Sequence, residues 1–365
     1  MAKKITRNFL IASVSAIFFA TSSVSHQAVS WIGASPTTLP SAFFVLVSLL
    51  SYFHFLEKNG QKYFYASLFL ALVSFFFKES SIIIFILLPI TYIIYKKVTV
   101  LDSFRKHALI VSYLSIAVLS RVYDLFFVNR GLTSTFVTRN SDPLVRILFH
   151  ALLYPLESLS QVIIFPGLMW KISSFFISIS FPSILHSPSG VLVAEKIGAE
   201  IISIVFSSII LVSLFLVFRN DKKNGKAIAF SLLFFFLSFL PYIFLERGNA
   251  YLDSRYFYLG VAPAAIIFST IINLIKNKLG RNYFFPIAFS LLIFFFAQAM
   301  FINSELSFQA DVSRERKNFL ISLEKLYPSV PANPVFYITG NRDFYVSDHK
   351  IPFQQGMGYT LIYSA

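Results

Sequence analysis

The sequence predicts an all-α polytopic membrane protein with about 9–11 transmembrane helices and a small extracytoplasmic C-terminal α/β segment. Hydrophobic residues make up 56% of the 365 residues and charged residues only 13%, whereas a soluble domain carries about 25% charged residues. Apolar segments recur at close to the roughly 20 residues that a spanning helix needs. Lysines and arginines recur in the short loops between these segments, which is the pattern of a membrane protein with a defined orientation.

Composition excludes several classes of protein. An ordinary cytosolic enzyme and a disordered regulator are both far more polar than this chain. Residues 1–302 hold 25 Lys+Arg and 11 Asp+Glu, whereas residues 303–365 hold 6 of each. The net charge of +14 therefore lies among the apolar segments, so we expect no nucleic-acid partner. The chain has no cysteine, which excludes disulfides, thiolate nucleophiles and thiolate metal sites.

The apolar segments divide the chain into a transmembrane domain, 1–302, and a C-terminal cap, 303–365. Lys78-Glu79-Ser80 separates two of the segments, which predicts either a tight hairpin or one interrupted helix. The stretch 144–186 contains three prolines, and a re-entrant or interfacial arrangement is the alternative to two crossings there. The segments lie near residues 9–25, 40–56, 63–77, 80–95, 108–128, 147–166, 172–186, 199–218, 227–245, 256–275 and 283–302.

Basic residues predict the orientation. With the N-terminus inside, alternate loops hold 16 of the 25 Lys+Arg of residues 1–302, as the positive-inside rule requires. We therefore expect a multi-pass protein of the cytoplasmic membrane with its N-terminus inside and its C-terminus outside. Residues 1–25 also resemble a signal peptide, and with that alternative the loop that follows still faces outward.

The C-terminal cap begins as a polar segment. Residues 303–327 are typical of a helix that leaves the membrane, and three prolines follow between positions 328 and 334. The β-prone runs at 335–339 and 359–363 predict two short strands. We therefore expect a small α/β cap outside the membrane, and the sequence leaves open whether this cap is complete.

Polar residues cluster at four outward-facing places. Placing a charged side chain in hydrocarbon costs at least about 2.5–3.5 kcal/mol, so charged residues beside apolar segments indicate a structural or functional role. Arginine and lysine hold phosphate, a carboxylate or histidine accepts a proton, and aromatic faces suit sugar rings. Each place also has a structural alternative: interfacial residues, an ion pair in a tight turn, a helix cap or a loop salt bridge. The places are 25–35, 78–80, 154–160 with Glu157, and 246–258.

The order of these motifs resembles the GT-C superfamily of polytopic glycosyltransferases. Residues 26–35 read His-Gln-Ala-Val-Ser-Trp-Ile-Gly-Ala-Ser, and Lys78-Glu79 follows two apolar helices later. The branch that contains the transmembrane and tetratricopeptide-repeat protein O-mannosyltransferases carries His-x-x-Glu-Ala-Val-x-Trp-Ile, then Ser-Lys-Glu. Its later Glu-Arg-Tyr-Leu-Tyr-Leu-Pro is matched in part by 254–260. The resemblance covers roughly residues 10–275.

That resemblance implies transfer of a sugar, with inversion, from a polyprenyl-phosphate donor to an extracytoplasmic acceptor. It implies that Arg255 and Lys78 bind the donor phosphate and that Glu79 holds Lys78 or shapes its loop. Tyr256 and Trp31 would support the cavity. Beside these, the outward clusters offer Asp253, Glu79 and His26 as acid or base candidates, Arg247 as a third phosphate ligand, and Gln27 and Tyr258 as cavity residues.

The chain also departs from the family. Gln27 stands where the family often has Glu, Ser254 where it has Glu, and Gly260 where it has Pro. The family's acidic first outer loop has no counterpart before His26, which suggests a truncated or divergent member. A divalent metal stays open as a cofactor, because no His-carboxylate cluster decides it. The alternatives are an O-antigen polymerase or ligase, a transporter or flippase for a lipid-linked saccharide, and a structural membrane subunit.

Overall fold

The computed structural model describes residues 1–30, 35–108, 143–164, 166–180, 188–220, 222–243 and 254–327. Within these ranges almost every residue is helical and no strand is present. The helices are α1 Ala2–Thr6, α2 Phe9–Thr21, α3 Gln27–Ser30, α4 Ser35–Lys58, α5 Gln61–Phe77, α6 Ile83–Lys96, α7 Val100–Lys106, α8 Pro143–Ile163, α9 Pro166–Ser180, α10 Pro188–Asn220, α11 Lys222–Phe239, α12 Tyr258–Leu279 and α13 Phe284–Leu326.

Six helical stretches of the described chain are long and apolar enough to cross a membrane. Three shorter apolar helices accompany them: Phe9–Thr21, Gln61–Phe77 and Lys171–Ser180. The coarse prediction of an all-α, multi-pass membrane protein is therefore confirmed. The predicted strands at 335–339 and 359–363 lie outside the described residues, as does most of the apolar segment 108–128. The six stretches are Ser35–Lys58, Glu79–Lys96, Ile197–Phe215, Gly225–Tyr242, Tyr258–Leu279 and Phe284–Asp311.

Two apolar clusters hold residues 1–298 together as one compact unit. One cluster joins α4, α5, α6 and α11 around Tyr52 and Phe230, and the other joins α2, α8, α10, α11 and α12 around Phe18 and Phe239. The second compact unit is 299–365, of which the structure describes the last part of α13. Phenylalanine rings pack closely in both clusters, and this packing accounts for part of the high Phe content.

One end of residues 1–298, which we call the basic end, gathers α1 with the last turns of α4 and α6 and the start of α11. The Tyr52 hydroxyl pairs with His107 Nε2 at 2.6 Å, which fixes the end of α7 to α4. The Asn8 side-chain amide donates to Asn273 Oδ1 at 3.4 Å, which brings the last turns of α12 close to the start of α2.

The opposite end, which we call the polar end, holds the Ser23–Ser25 turn, α3, the start of α4 and Lys78. Helix α5 starts two residues after α4 ends at the basic end, and α6 finishes at that same end. The chain therefore reverses at Lys78 as a hairpin, and the alternative of one interrupted helix does not occur.

Helices α8 and α9 form a hairpin against α10. The Ser160 backbone N–H donates to Ser207 Oγ at 2.9 Å, and the Ser160 hydroxyl donates to the Ser203 carbonyl at 2.9 Å. Glu157 interacts electrostatically with Glu200, so α8 runs parallel to α10. Ser173 and Ile177 of α9 pack against Gly198 of α10. Gly198 lies nearer the start of α10 than the serines that contact α8. The chain therefore turns back between Ile163 and Pro166.

Candidate functional site

The candidate site lies at the polar end, where segments far apart in the sequence meet. The Ser254–Tyr256 turn packs against both the Ser23–Ser25 turn and α3. Lys78 reaches the same place from the α5–α6 reversal, since its Nζ atom lies 5.9 Å from the centroid of the Tyr256 ring. Three of the four predicted polar clusters are thus brought together: 25–35, 78–80 and 246–258, as far as each is described.

Lys78 is a half-buried cation that has no carboxylate beside it in the described part of the chain. Its backbone is extended and ends α5, and its Nζ donates to Thr38 Oγ1 at 2.8 Å. Among the described residues, no carboxylate lies within ion-pair distance of Lys78. Burial and, as the smaller cause, the nearby Arg255 charge together lower the pKa of Lys78 from 10.5 to about 8. Two positive charges therefore share one place at the polar end.

Arg255 and Tyr256 complete the cationic part of the site. The guanidinium Cζ lies 4.9 Å from the centroid of the Tyr256 ring, and Nη2 donates to the Tyr256 hydroxyl at 3.0 Å. The Tyr256 ring lies against Tyr242, with centroids 4.5 Å apart, and the Tyr242 hydroxyl interacts with the Ser80 side chain. An aromatic surface is thus flanked by two cations, an arrangement suited to an anionic group joined to a ring.

His26 lies on the neighbouring turn. Its Nδ1 is 2.8 Å from the Ser23 carbonyl oxygen, so a neutral ring donates through Nδ1 and keeps Nε2 as a proton acceptor. Gln27 begins α3 one residue later, and its amide cannot act as a base. The Tyr258 ring packs on Phe19 with centroids 5.3 Å apart, which places it at the edge of the cluster.

Other predicted residues stand apart from this arrangement. Glu79 is exposed in the turn after Lys78. The Lys78 ammonium donates to Thr38, and the expectation that Glu79 holds Lys78 or shapes its loop stays a prediction. Arg247, Asp253 and Trp31 lie outside the described residues, so their predicted roles remain predictions.

The fourth predicted cluster, 154–160, divides between two surroundings. Tyr154 packs in the same apolar cluster as Val24 and Tyr242. Glu157 is 1% exposed, and neither of its carboxyl oxygens has a hydrogen-bond partner among the described residues. The charged side chain that interacts with it is Glu200 on α10. Glu157 therefore belongs to the hairpin interface and not to the cationic site.

Three contact residues of the polar end were not predicted from the sequence. Thr38 and Tyr242 are polar residues at the ends of apolar helices, and this position is the only signal that marks them. Gln298, within a Phe-rich run of α13, accepts from the Ser23 backbone N–H at 3.0 Å and from the Ser23 hydroxyl. Its amide donates to the Ile163 carbonyl at 3.4 Å. Gln298 thus ties the Ser23–Ser25 turn to the end of α8.

The described part of the chain contains no group of three or more His, Asp or Glu side chains that could hold a metal ion. No protein-family model, curated protein or solved structure matches the chain. The function is therefore argued from the polar end itself: a pair of cations, an aromatic surface and an imidazole nitrogen.

Proposed function

We propose that the chain is an integral membrane glycosyltransferase of the GT-C type that transfers a sugar from a polyprenyl-phosphate donor to an extracytoplasmic acceptor. The observation that carries the proposal is the pair of cations beside Tyr256, of which Lys78 has no carboxylate partner among the described residues. A half-buried ammonium without a neighbouring carboxylate is costly unless an anion joins it. A phosphate supplies that anion at the membrane boundary.

The donor phosphate would lie between Lys78 and Arg255. A guanidinium binds two phosphate oxygens at once, and the lysine adds a compact charge. The adjoining Tyr256 and Tyr242 rings offer the sugar an aromatic face. The polyprenyl chain would extend along the apolar helices, which explains why the cations sit at helix ends instead of in a soluble domain.

Transfer with inversion needs one base. The acceptor hydroxyl attacks the anomeric carbon of the sugar, its proton passes to the base, and the carbon–oxygen bond to the phosphate breaks. Polyprenyl phosphate leaves with the bonding electrons and gains negative charge, which the two cations stabilise. His26 is a described acceptor next to the cations, while Asp253 and Glu79 stay as the carboxylate candidates.

The distribution of basic residues supports a site on the outer face of the cytoplasmic membrane. With the basic end inside, the N-terminus is cytoplasmic and the polar end faces outward. Polyprenyl-phosphate sugars and acceptors of envelope glycan or glycoprotein synthesis would then meet on the outer face.

The test is sugar transfer from radiolabelled polyprenyl-phosphate sugars by membranes that contain residues 1–365, with an upstream-extended chain in parallel. We expect Lys78→Ala and Arg255→Ala each to reduce transfer by at least about 100-fold, since each removes a charge-assisted contact in a desolvated site. Membrane levels should not change.

Lys62→Ala is the matched control for Lys78→Ala. Lys62 also places its ammonium over a tyrosine ring, 5.3 Å from the centroid of Tyr63, but it is exposed at the start of α5 near the basic end. Its loss should leave transfer unchanged. Normal activity in both site variants would disprove the assignment of the cations, and activity only in the extended chain would place the base outside residues 1–365.

A transporter or flippase for a lipid-linked saccharide is the second candidate. The observation that favours it is the α8–α9 hairpin with the buried Glu157, since re-entrant segments and buried carboxyls are common in transport paths. Translocation of a fluorescent lipid-linked saccharide without any sugar transfer would favour this function over the first.

A further inference from the structure

A cavity of about 650 Å³ opens at the basic end, far along the helices from the candidate site. Four elements contribute to it: α1 with its following residue, the last turns of α4 and α6, and the start of α11. Its walls combine apolar side chains, among them Phe53 and Leu56, with charged ones. The cavity is therefore built by the tertiary fold and is not a furrow on one helix.

The charged lining is strongly positive. Of the described residues, Lys4, Arg7, Lys96 and Lys226 line the cavity with a single carboxylate, Glu57. Glu57 is paired with Lys4 at 2.5 Å, which leaves three cations in excess. Within the described part of the chain, the hydrogen bonds of Lys96 and Lys226 are long contacts with neutral oxygens, at 3.4 Å to Asn59 Oδ1 and 3.4 Å to the Tyr95 carbonyl.

Membrane orientation alone does not account for this convergence. The positive-inside rule asks for basic residues in short loops, and scattered exposed side chains satisfy it. Lys226 instead lies near the start of α11, whose first turn holds no acidic residue, so its charge is unfavourable with respect to the helix dipole. An anion in the cavity would offset that cost.

Tyr95 supplies an independent sign of a ligand. The residue lines the cavity, and its hydroxyl is buried with no hydrogen-bond partner among the described residues. A buried hydroxyl without a partner destabilises the fold. When the Tyr95 ring turns its hydroxyl toward the cavity, a phosphate oxygen would accept from it, and the cations of the lining would balance the phosphate charge.

We propose that this cavity binds the phosphate of an anionic phospholipid headgroup from the leaflet around the basic end. A lipid fits better than a free phosphate because apolar side chains form part of the walls. Each lysine or arginine near a membrane surface strengthens the attraction of anionic lipid phosphates. The proposal is independent of sugar transfer at the polar end.

The test uses the purified full chain in neutral detergent, with thermal unfolding followed during titration with phosphatidylglycerol, phosphatidylcholine or inorganic phosphate. We expect phosphatidylglycerol alone to raise the melting temperature in a saturable manner. Arg7→Gln/Lys96→Gln/Lys226→Gln should raise the half-saturating concentration at least about tenfold, since three charge contacts are lost.

Two further variants separate a built site from surface charge. Lys58→Gln/Lys62→Gln/Lys278→Gln removes the same number of charges outside the cavity, and it should change half-saturation less than about twofold. Tyr95→Phe removes only the hydroxyl, which has no partner without ligand, so the chain should fold normally and bind the lipid about tenfold more weakly.

Three results would overturn the proposal. Equal losses in the two triple variants would mean diffuse attraction to surface charge. Equal stabilisation by phosphatidylcholine would remove the requirement for an anionic headgroup. Saturable stabilisation by millimolar inorganic phosphate, with the same dependence on Tyr95, would assign the cavity to a soluble phosphate compound instead of a lipid.

Discussion

Lys78 is the residue whose surroundings are hardest to explain without an anion. A half-buried ammonium normally gains a carboxylate, yet this one donates to a threonine hydroxyl and faces a second cation. Both the burial and the Arg255 charge favour the neutral amine, which is why the pKa of Lys78 is lowered to about 8. A bound phosphate would reverse that balance and favour the charged form.

This shift predicts a pH dependence of donor binding. A polyprenyl-phosphate sugar is a phosphodiester and keeps one negative charge between pH 7 and 9, so the protein alone titrates there. As the pH rises through about 8, Lys78 loses its proton and the donor affinity should fall, by about an order of magnitude at pH 9. The measurement is donor binding to the purified chain at each pH.

Lys78→Arg is the matched variant for this prediction. Arginine stays charged at all these pH values, so the variant should bind the donor with little change between pH 7 and 9. A pH dependence that survives in Lys78→Arg would assign the titration to another group.

Lys78 and Arg255 were predicted from the sequence because charges beside long apolar segments are rare and therefore visible. Thr38 and Gln298 were not predicted, since a neutral polar residue costs little at a helix end and does not stand out. The role of Glu79, to hold Lys78 or to shape its loop, was implied by the family resemblance. In the fold, the extended backbone of Lys78 directs its side chain to the start of α4.

The α8–α9 hairpin is the element whose course the sequence left open. Helix α8 runs parallel to α10, and the contacts of Ser160 place Ile163 at about the level of residues 206–210 of α10. Helix α10 continues to Asn220, which adds about 15–20 Å at 1.5 Å per residue. The turn after Ile163 therefore lies well short of the end of α10, as expected for a re-entrant hairpin and not for two full crossings.

Single cysteines test this arrangement, because the chain has none of its own. We expect Ser180→Cys, at the open end of the hairpin, to react with a membrane-impermeant maleimide added on the side of the polar end. Ile164→Cys, at the turn, should not react from the side of the basic end, because the turn does not reach it.

Asn59→Cys is the control for access from the basic end. Asn59 is an exposed residue in the turn between α4 and α5, and it should react readily from that side. Reaction of Ile164→Cys at a rate close to that of Asn59→Cys would mean that α8 and α9 cross the membrane completely.

Apolar length predicted the class of fold and not the number of crossings. The long runs in α4, α10, α12 and α13 were visible because hydrophobicity alone marks them. The course of α8 and α9 depends instead on hydrogen bonds between Ser160 and two serines of α10. Such contacts are made between helices, and a pattern along one segment does not encode them.

At the scale of the whole molecule, the two ends of residues 1–298 differ in chemistry. Among the described residues, the basic end exposes cations with a single acidic residue around its cavity, and the polar end holds two half-buried cations against an aromatic ring. Loops with exposed lysines and arginines tend to stay on the cytoplasmic side when a membrane protein is inserted. Buried cations beside rings are what a ligand site needs. The two ends thus carry their charges in different surroundings, which fits orientation and lipid contact at the basic end and the proposed ligand site at the polar end.

That division predicts which end faces the cytoplasm. Val29→Cys at the polar end and Lys58→Cys at the basic end both replace exposed side chains, 56% exposed for Val29. In intact cells we expect an impermeant maleimide to label Val29→Cys, and to label Lys58→Cys only after the membrane is broken. Labelling of Lys58→Cys alone in intact cells would reverse the orientation. It would place the cations beside Tyr256 in the cytoplasm, where transfer to an extracytoplasmic acceptor cannot occur.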